Sequence, residues 1–181
     1  MKTRPIVAIA GATGVVGAEM LAVLEQRRFP ASEVRLLASE DSAGELYRFG
    51  SQELQVEVLD EESFRGVDIA LFATSASLSE KYVPLAVEQG AVAIDNSSRF
   101  RMDDQVPLVV PEVNAEAIGK QDRIIANPNC STIQLVPVLK RIEEAAGLKR
   151  VMVSSYQSVS GAGKLALDEL WSQTLAVFNQ K

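Results

Sequence analysis

One stretch of this chain gathers residue types that can do covalent chemistry. It is Asn127-Pro128-Asn129-Cys130-Ser131-Thr132-Ile133-Gln134, and it holds the only cysteine in 181 residues. It follows a short apolar run, Arg123-Ile124-Ile125-Ala126, that reads as a buried strand. It leads into Ile133, Val136, Leu139 and Ile142, which recur at helical spacing. Cys130 is therefore expected where a strand ends and a helix begins. The free N–H groups and partial positive charge of a helix start favour an anion, so a thiol there is expected to be an activated nucleophile. By default a lone cysteine is a small core residue. Polar neighbours on both sides and the strand-to-helix turn argue against that here.

The elements that must position this cysteine read as an α/β fold. Ile6 to Ala10 is a continuous apolar run, the pattern of a strand buried on both faces. Gly11-Ala12-Thr13-Gly14-Val15-Val16-Gly17 follows, with Val16, Met20, Leu21 and Leu24 at helical spacing behind it. A glycine-rich turn between strand and helix is the phosphate-binding corner of a dinucleotide fold. Its spacing is G-x-x-G-x-x-G rather than the usual G-x-G-x-x-G, so its context carries the reading. Val34 to Ala38 reads as a second strand, ending at Ser39-Glu40-Asp41-Ser42-Ala43-Gly44-Glu45. An acid near that place commonly bonds the ribose 2′-hydroxyl of NAD. A solvated acidic loop is the plain alternative for Glu40 and Asp41.

Short strands are expected at 46–49 and 54–59 around Gly50-Ser51, and buried strands at 68–73 and 91–95. Between the last two, 74–79 reads as a small-residue loop and 79–89 as a helix closed by Gly90 and restarted or kinked at Pro84. The repeating strand-helix-strand order predicts a Rossmann-like, doubly wound parallel sheet. Asn96-Ser97-Ser98-Arg99-Phe100-Arg101 lies at a strand's carboxyl end, where two arginines can clamp a phosphate or carboxylate. Val106 to Val110 is a short extended piece, and Asn114 is placed to cap a helix running to Ile118. Past the Cys130 helix, interrupted at Pro137, 150–157 reads as a strand, 158–163 as a flexible loop and 165–178 as an amphipathic helix.

Composition bounds the partners. Apolar residues make up 47% of the chain, ample for a core, and the net charge of −6 comes with acids and bases interspersed. No basic stripe supplies phosphate contacts, so nucleic acid is not an expected partner. A single cysteine excludes an internal disulfide framework and suits a reducing cytoplasm. No apolar run approaches the roughly 18 residues of a membrane span, and no signal peptide is expected, since the sequence enters a strand almost at once. No metal site is expected, because no Cys/His cluster has metal spacing.

Taken together, these motifs resemble the bacterial branch of the aspartate-semialdehyde dehydrogenases. The matching residues are Gly11 through Gly17, Ser42-Ala43-Gly44, Asp95 through Ser98 with Phe100-Arg101, Val106 through Asn114, Asn127 through Gln134, and Tyr156-Gln157 with Ser160-Gly161-Ala162-Gly163. The resemblance implies NADP-dependent reductive dephosphorylation of L-aspartyl 4-phosphate to L-aspartate 4-semialdehyde, a step of lysine, threonine and methionine biosynthesis. It implies Cys130 as the nucleophile that forms an acyl-thioester, with Arg101, Gln157 and Asn129 binding substrate and its phosphate. It implies that Gly11, Thr13, Gly14, Val15, Val16 and Gly17 hold the cofactor pyrophosphate. Asp41 and Ser42 would meet the adenosine ribose, and Ser160 and Gly161 the nicotinamide side. Residues 1–127 would form the dinucleotide-binding domain. Residues 128–181 would start an α+β catalytic and dimerisation domain, giving a homodimer in the full-length form.

Two departures from the family pattern carry expectations of their own. Asp41 and Glu45 stand where relatives carry basic residues, so NAD is expected to compete with NADP. Relatives are much longer, and their acid–base histidine has no counterpart here, since the 181 residues contain no histidine. The chain is therefore expected to be a fragment with little activity by itself. The alternatives are a non-catalytic nucleotide-binding relative and another acyl-phosphate reductase, such as acetylglutamyl-phosphate reductase.

Overall fold

Strand β1, Ile6–Ala10, is the central strand of a seven-stranded sheet, and its residues from Val7 onward are buried on both faces. The computed structural model describes residues 3–179. After β1 come helix α1 (Val15–Gln26), strand β2 (Glu33–Ala38), and an antiparallel hairpin of β3 (Leu46–Phe49) and β4 (Gln52–Val58). Then follow β5 (Ile69–Phe72), α2 (Ala76–Glu88), β6 (Val92–Asp95), the single turn α3 (Pro111–Asn114) and β7 (Ile124–Ala126). Two longer helices complete the order, α4 (Cys130–Ala146) and α5 (Lys164–Phe178).

The sheet runs β3-β4-β2-β1-β5-β6-β7, and every ladder except β3–β4 is parallel. Among the parallel strands alone the order is third, second, first, fourth, fifth, sixth. That is the order of dinucleotide-binding sheets, whose winding reverses between the first and fourth strands. Here the reversal lies between β1 and β5.

Alternate strand residues point to opposite faces, so one apolar strand serves two cores. Ala8, Ala10, Leu37, Ala70 and Phe72 meet Val83 and Ala86 of α2 on one face. Ile9, Leu36, Ala38 and Val56 meet Leu21 of α1 on the other. Only β1-α1-β2 and β5-α2-β6 cross over through regular helices. Between β4 and β5 the chain makes turns instead, and Phe64 stands in for a helix. Its side chain is fully buried, 5.4 Å ring to ring from Phe72, and burial of that size stabilises by roughly 1.5–3 kcal/mol.

Several sequence expectations are corrected. Residues 74–79 are not a loop: α2 begins at Ala76, capped by the Ser75 hydroxyl, which accepts from the Leu78 N–H. The helix is unbroken through Pro84, as α4 is through Pro137. Asn114 does not cap a following helix; its carboxamide turns back to the Val110 N–H and the Leu108 carbonyl. Residues 150–157 join no β-ladder. The alternation there is real, but a strand exists only with a neighbour to take its N–H and C=O groups.

The chain divides into two compact units, one running through Ala146 and a second starting at Gly147. Within the second, 158–163 is not an irregular loop. Val159–Ala162 forms a 3-10 turn whose Ser158 hydroxyl accepts the Ser160 N–H, and α5 follows. Leu165, Leu170, Trp171, Val177 and Phe178 of α5 are all exposed.

Candidate functional site at the carboxyl edge of the sheet

Because the six strands are parallel, the segments leaving β1, β2, β5, β6 and β7 emerge on one edge. The turn after β1 and the turn after β7 are separated by three strand spacings, roughly 14 Å.

The first turn is built by close backbone approach. Gly11 has φ +81°, and both its N–H and that of Ala12 donate to the Leu37 carbonyl, at 2.8 and 3.1 Å. A Cβ on Gly11 would collide with the Ala73 carbonyl after β5, and one on Gly17 would collide with the Gly11 carbonyl and lie 2.7 Å from the Ala12 Cα. The glycines thus fold the turn flat against the start of α1. The first bond of α1 is Ala18 N–H to the Gly14 carbonyl, at 2.9 Å. The preceding N–H groups of its first turn have no carbonyl within the helix. Val15 and Val16, at its first two positions, are exposed. Gly14 and the first turn are exposed, so an anion can reach these N–H groups, and a helix start beside the switch between β1 and β5 suits a pyrophosphate. The residues present fit a dinucleotide. Thr13 is half-buried in the same turn.

Beyond β2, Glu40–Ser42 forms a 3-10 turn, with Asp41 exposed and Ser42 half-buried. The exposed Glu45 carboxylate, just past this turn, accepts from the Tyr47 hydroxyl at 3.3 Å. Burial first, then the Glu45 charge and hydrogen bond, push the Tyr47 hydroxyl above its ordinary value. Glu40 and Asp41 both stay exposed in that turn.

At the ends of β6 and β7 the polar groups are densely bonded. Asp95 is fully buried; its carboxylate accepts from the Ser79 hydroxyl at 2.8 Å, the Ser97 N–H at 3.1 Å and the Ser97 hydroxyl at 2.7 Å. Ser79, also fully buried, is 2.9 Å from the Thr74 hydroxyl. This chain ties the ends of β5 and β6 to α2, and sequence reasoning missed it. Its one local signal is a carboxylate closing the apolar run 91–95. Arg101 is half-buried; its Nε donates to the Asn127 carbonyl at 2.9 Å and a terminal nitrogen to the Asn96 carbonyl at 2.8 Å. Arg99 instead pairs with Glu80 at 3.0 Å and lies over the Phe100 ring.

Cys130 is the first residue of α4, free and exposed. Asn129 caps that helix: its Oδ1 accepts the Ser131 N–H at 2.9 Å, and its carbonyl accepts from Ile133 at 2.9 Å. The Cys130 sulfur lies 3.9 Å from the same Oδ1, and Gln134 reaches back to the Cys130 carbonyl at 2.9 Å. The cap uses the Asn129 Oδ1 and not its amide nitrogen. Residues Gly11 through Gly17, Asp41, Ser42, Arg101, Asn129 and Cys130 thus share one unit and one sheet edge. Gln157, Ser160 and Gly161 belong to the second unit, where the Gln157 side chain fills the space that a Cβ on Gly161 would need.

Comparison with known proteins agrees with this geometry. A family model described as the semialdehyde dehydrogenase NAD binding domain matches residues 6–121, and one described as the semialdehyde dehydrogenase dimerisation domain matches residues 139–181. The chain is similar to an aspartate-semialdehyde dehydrogenase of Bacillus subtilis, 53% identical over 175 residues that cover 97% of this chain and 51% of that one. Aspartate-semialdehyde dehydrogenase 2 of Vibrio cholerae is likewise 53% identical over 175 residues, covering 96% of this chain and 52% of that one. A crystal structure of aspartate semialdehyde dehydrogenase II from Vibrio cholerae, complexed with ASA, superposes with TM-score 0.90 at 51% identity, covering 99% of this chain and 54% of that one. A Candida albicans aspartate semialdehyde dehydrogenase solved with NADP gives TM-score 0.63 at 25% identity, over 81% of this chain and 48% of that one. The chain spans about half the length of the curated relatives it matches. With both family models matched and the strand order and glycine cradle in place, the chain belongs to the semialdehyde dehydrogenase family.

Proposed function

We propose that this chain carries the dinucleotide-binding and nucleophile-bearing portion of an aspartate-semialdehyde dehydrogenase, acting on L-aspartyl 4-phosphate. The observation that carries the reading is the placement of an exposed cysteine at the first residue of a capped helix, on the sheet edge that also bears the glycine cradle. The Cys130 sulfur attacks the acyl carbon, a C–S bond forms, and the bond from carbon to the phosphate oxygen breaks. Phosphate leaves, and the aspartyl group remains as a thioester. Covalent capture divides one hard step into two easier ones. N–H groups of the first turn of α4 stabilise the oxyanion of the tetrahedral intermediate. Arg101 binds the phosphate, while the Asn129 amide nitrogen and Gln157 hold the substrate.

Gly11, Thr13, Gly14, Val15, Val16 and Gly17 would hold the cofactor pyrophosphate, Asp41 and Ser42 the adenosine ribose, and Ser160 and Gly161 the nicotinamide side. When bound, the dinucleotide supplies hydride to the acyl carbon. NADP is the expected cofactor, as in the Candida albicans relative, with NAD competing because of Asp41. The dinucleotide-binding part would end at Asn127, and the catalytic and dimerisation part would begin at Pro128. A homodimer is supported by the dimerisation model at 139–181 and by the exposed apolar side chains of α5. Among the described residues no helix is long and apolar enough to cross a membrane. A single exposed free thiol suits the cytoplasm.

The test is covalent. Mixed with L-aspartyl 4-phosphate, the chain should gain one aspartyl group by mass and release phosphate with it, and Cys130→Ser should do neither. Steady-state turnover of the 181-residue chain should stay far below that of a full-length relative. Acid–base assistance contributes about 10²–10⁴-fold, and the chain has no histidine to provide it. Acylation of the Cys130→Ser variant would remove the nucleophile from Cys130.

A further inference from the structure

Two of the five N–H donors of Arg101 are taken by backbone carbonyls, those of Asn96 and Asn127. Both residues continue the sheet one step past its strands. Asn96 N–H donates to the Phe72 carbonyl and Asn127 N–H to the Asp95 carbonyl, each at 3.1 Å. Their side chains then join: Asn127 Nδ2 donates to Asn96 Oδ1 at 2.5 Å. Asn127 Oδ1 is buried with no hydrogen-bond partner, so this one bond anchors its carboxamide. Asn96 directly follows Asp95, whose carboxylate is locked by Ser79 and Ser97. The two carbonyls that Arg101 needs are thus fixed twice, by the ladder and by a carboxamide bridge.

We propose that the Asn96–Asn127 carboxamide bridge is a positioning device for Arg101. It holds the two carbonyls at the separation that Nε and one terminal nitrogen span. The guanidinium plane is then set before any ligand arrives, and its three remaining N–H donors face an oxyanion as a fixed fork. Donors that need not be ordered on binding give tighter and more directional recognition. The proposal rests on the reading of Arg101 as the oxyanion-binding residue. It adds Asn96 and Asn127 as the groups that orient it. The turn that Asn127 opens carries Cys130 three residues on, so the same bridge fixes the oxyanion fork relative to the thiol.

The Nε–H signal of Arg101 in nitrogen-edited NMR of the 181-residue chain reads this directly. Its exchange with water is measured in the wild type, in Asn96→Ala, in Asn127→Ala and in the double variant, alongside a titration with inorganic phosphate. Each single variant should speed exchange and weaken phosphate by roughly five- to tenfold, the factor for one neutral hydrogen bond. The double variant should do no more than either single, because both remove the same bond. Asn96→Asp keeps the acceptor and should keep slow exchange. A purely structural role would lower the melting temperature and leave exchange in the folded state alone. Unchanged exchange in both singles, or effects that multiply in the double, would overturn the proposal. If an alanine variant does not fold, Asn96→Ser and Asn127→Ser read the same bond. A wild-type chain that ignores phosphate while the exchange effects hold would sink the oxyanion role of Arg101 and leave the bridge standing.

Discussion

Cys130 and Asp41 show how differently single residues can be read. Cys130 was legible because its setting is local: an apolar strand, an asparagine and a helical repeat, all between Arg123 and Ile142. Asp41 and Glu45 look alike in the sequence, four residues apart in one acidic loop, but the fold gives Glu45 a hydrogen-bond partner. Glu45 is drawn to Tyr47 along β3, while Asp41 stays exposed in the turn after β2. Cofactor preference should therefore answer to Asp41. Opposed charges at about 4 Å are worth roughly 1 kcal/mol in water-like surroundings. Asp41→Arg removes a repulsion and adds an attraction, so it should shift the NADP-to-NAD affinity ratio toward NADP by at least about tenfold. Glu45→Gln should leave the ratio alone. Titration calorimetry with both cofactors at fixed salt measures it, and an unmoved ratio in Asp41→Arg would take Asp41 away from the ribose.

Among the elements, those with complete local patterns appear where the sequence puts them. β1, α1, β2 and the hairpin of β3 and β4 have periodicity, glycines and turn residues that agree. The failures come from partners distant in sequence. The run 150–157 alternates like a strand and has no ladder to join. Asp95 finds Ser79 sixteen positions away, and nothing near either residue announces the other. The connection between β4 and β5 is a case of local chemistry replacing a helix. Asp60 accepts from the Ser63 hydroxyl and the Glu62 N–H, and these bonds, the hydroxyl first, hold its carboxyl below the ordinary value. A carboxyl lowered in the folded state stabilises the fold above its unfolded value, about 3.9, and that stability is lost as pH falls through the folded value. Ser63→Ala should therefore lower the melting temperature at neutral pH, and the gap from wild type should narrow below about pH 4. A gap that does not change with pH would assign the effect to packing instead.

At the scale of the whole molecule, the account turns on the switch point between β1 and β5. Gly14 gives the cleanest access to it. This residue is the N-cap of α1, with φ −74° and ψ 163°, a conformation open to any residue. A Cβ there would come no closer than 3.4 Å to the Gly11 carbonyl. Aspartate is a favoured N-cap, so Gly14→Asp should hold or raise stability by roughly a few tenths of a kcal/mol. The same carboxylate would occupy the place of the cofactor pyrophosphate and repel it. Calorimetric titration of both proteins with NADP and NAD, paired with their melting temperatures, is the most direct test. The expected result is one dinucleotide per wild-type chain, and a Gly14→Asp variant that melts no lower yet binds at least about tenfold more weakly, the like-charge cost in a partly desolvated turn. A wild-type chain that binds neither cofactor, or a variant that binds as tightly as the wild type, would contradict the account.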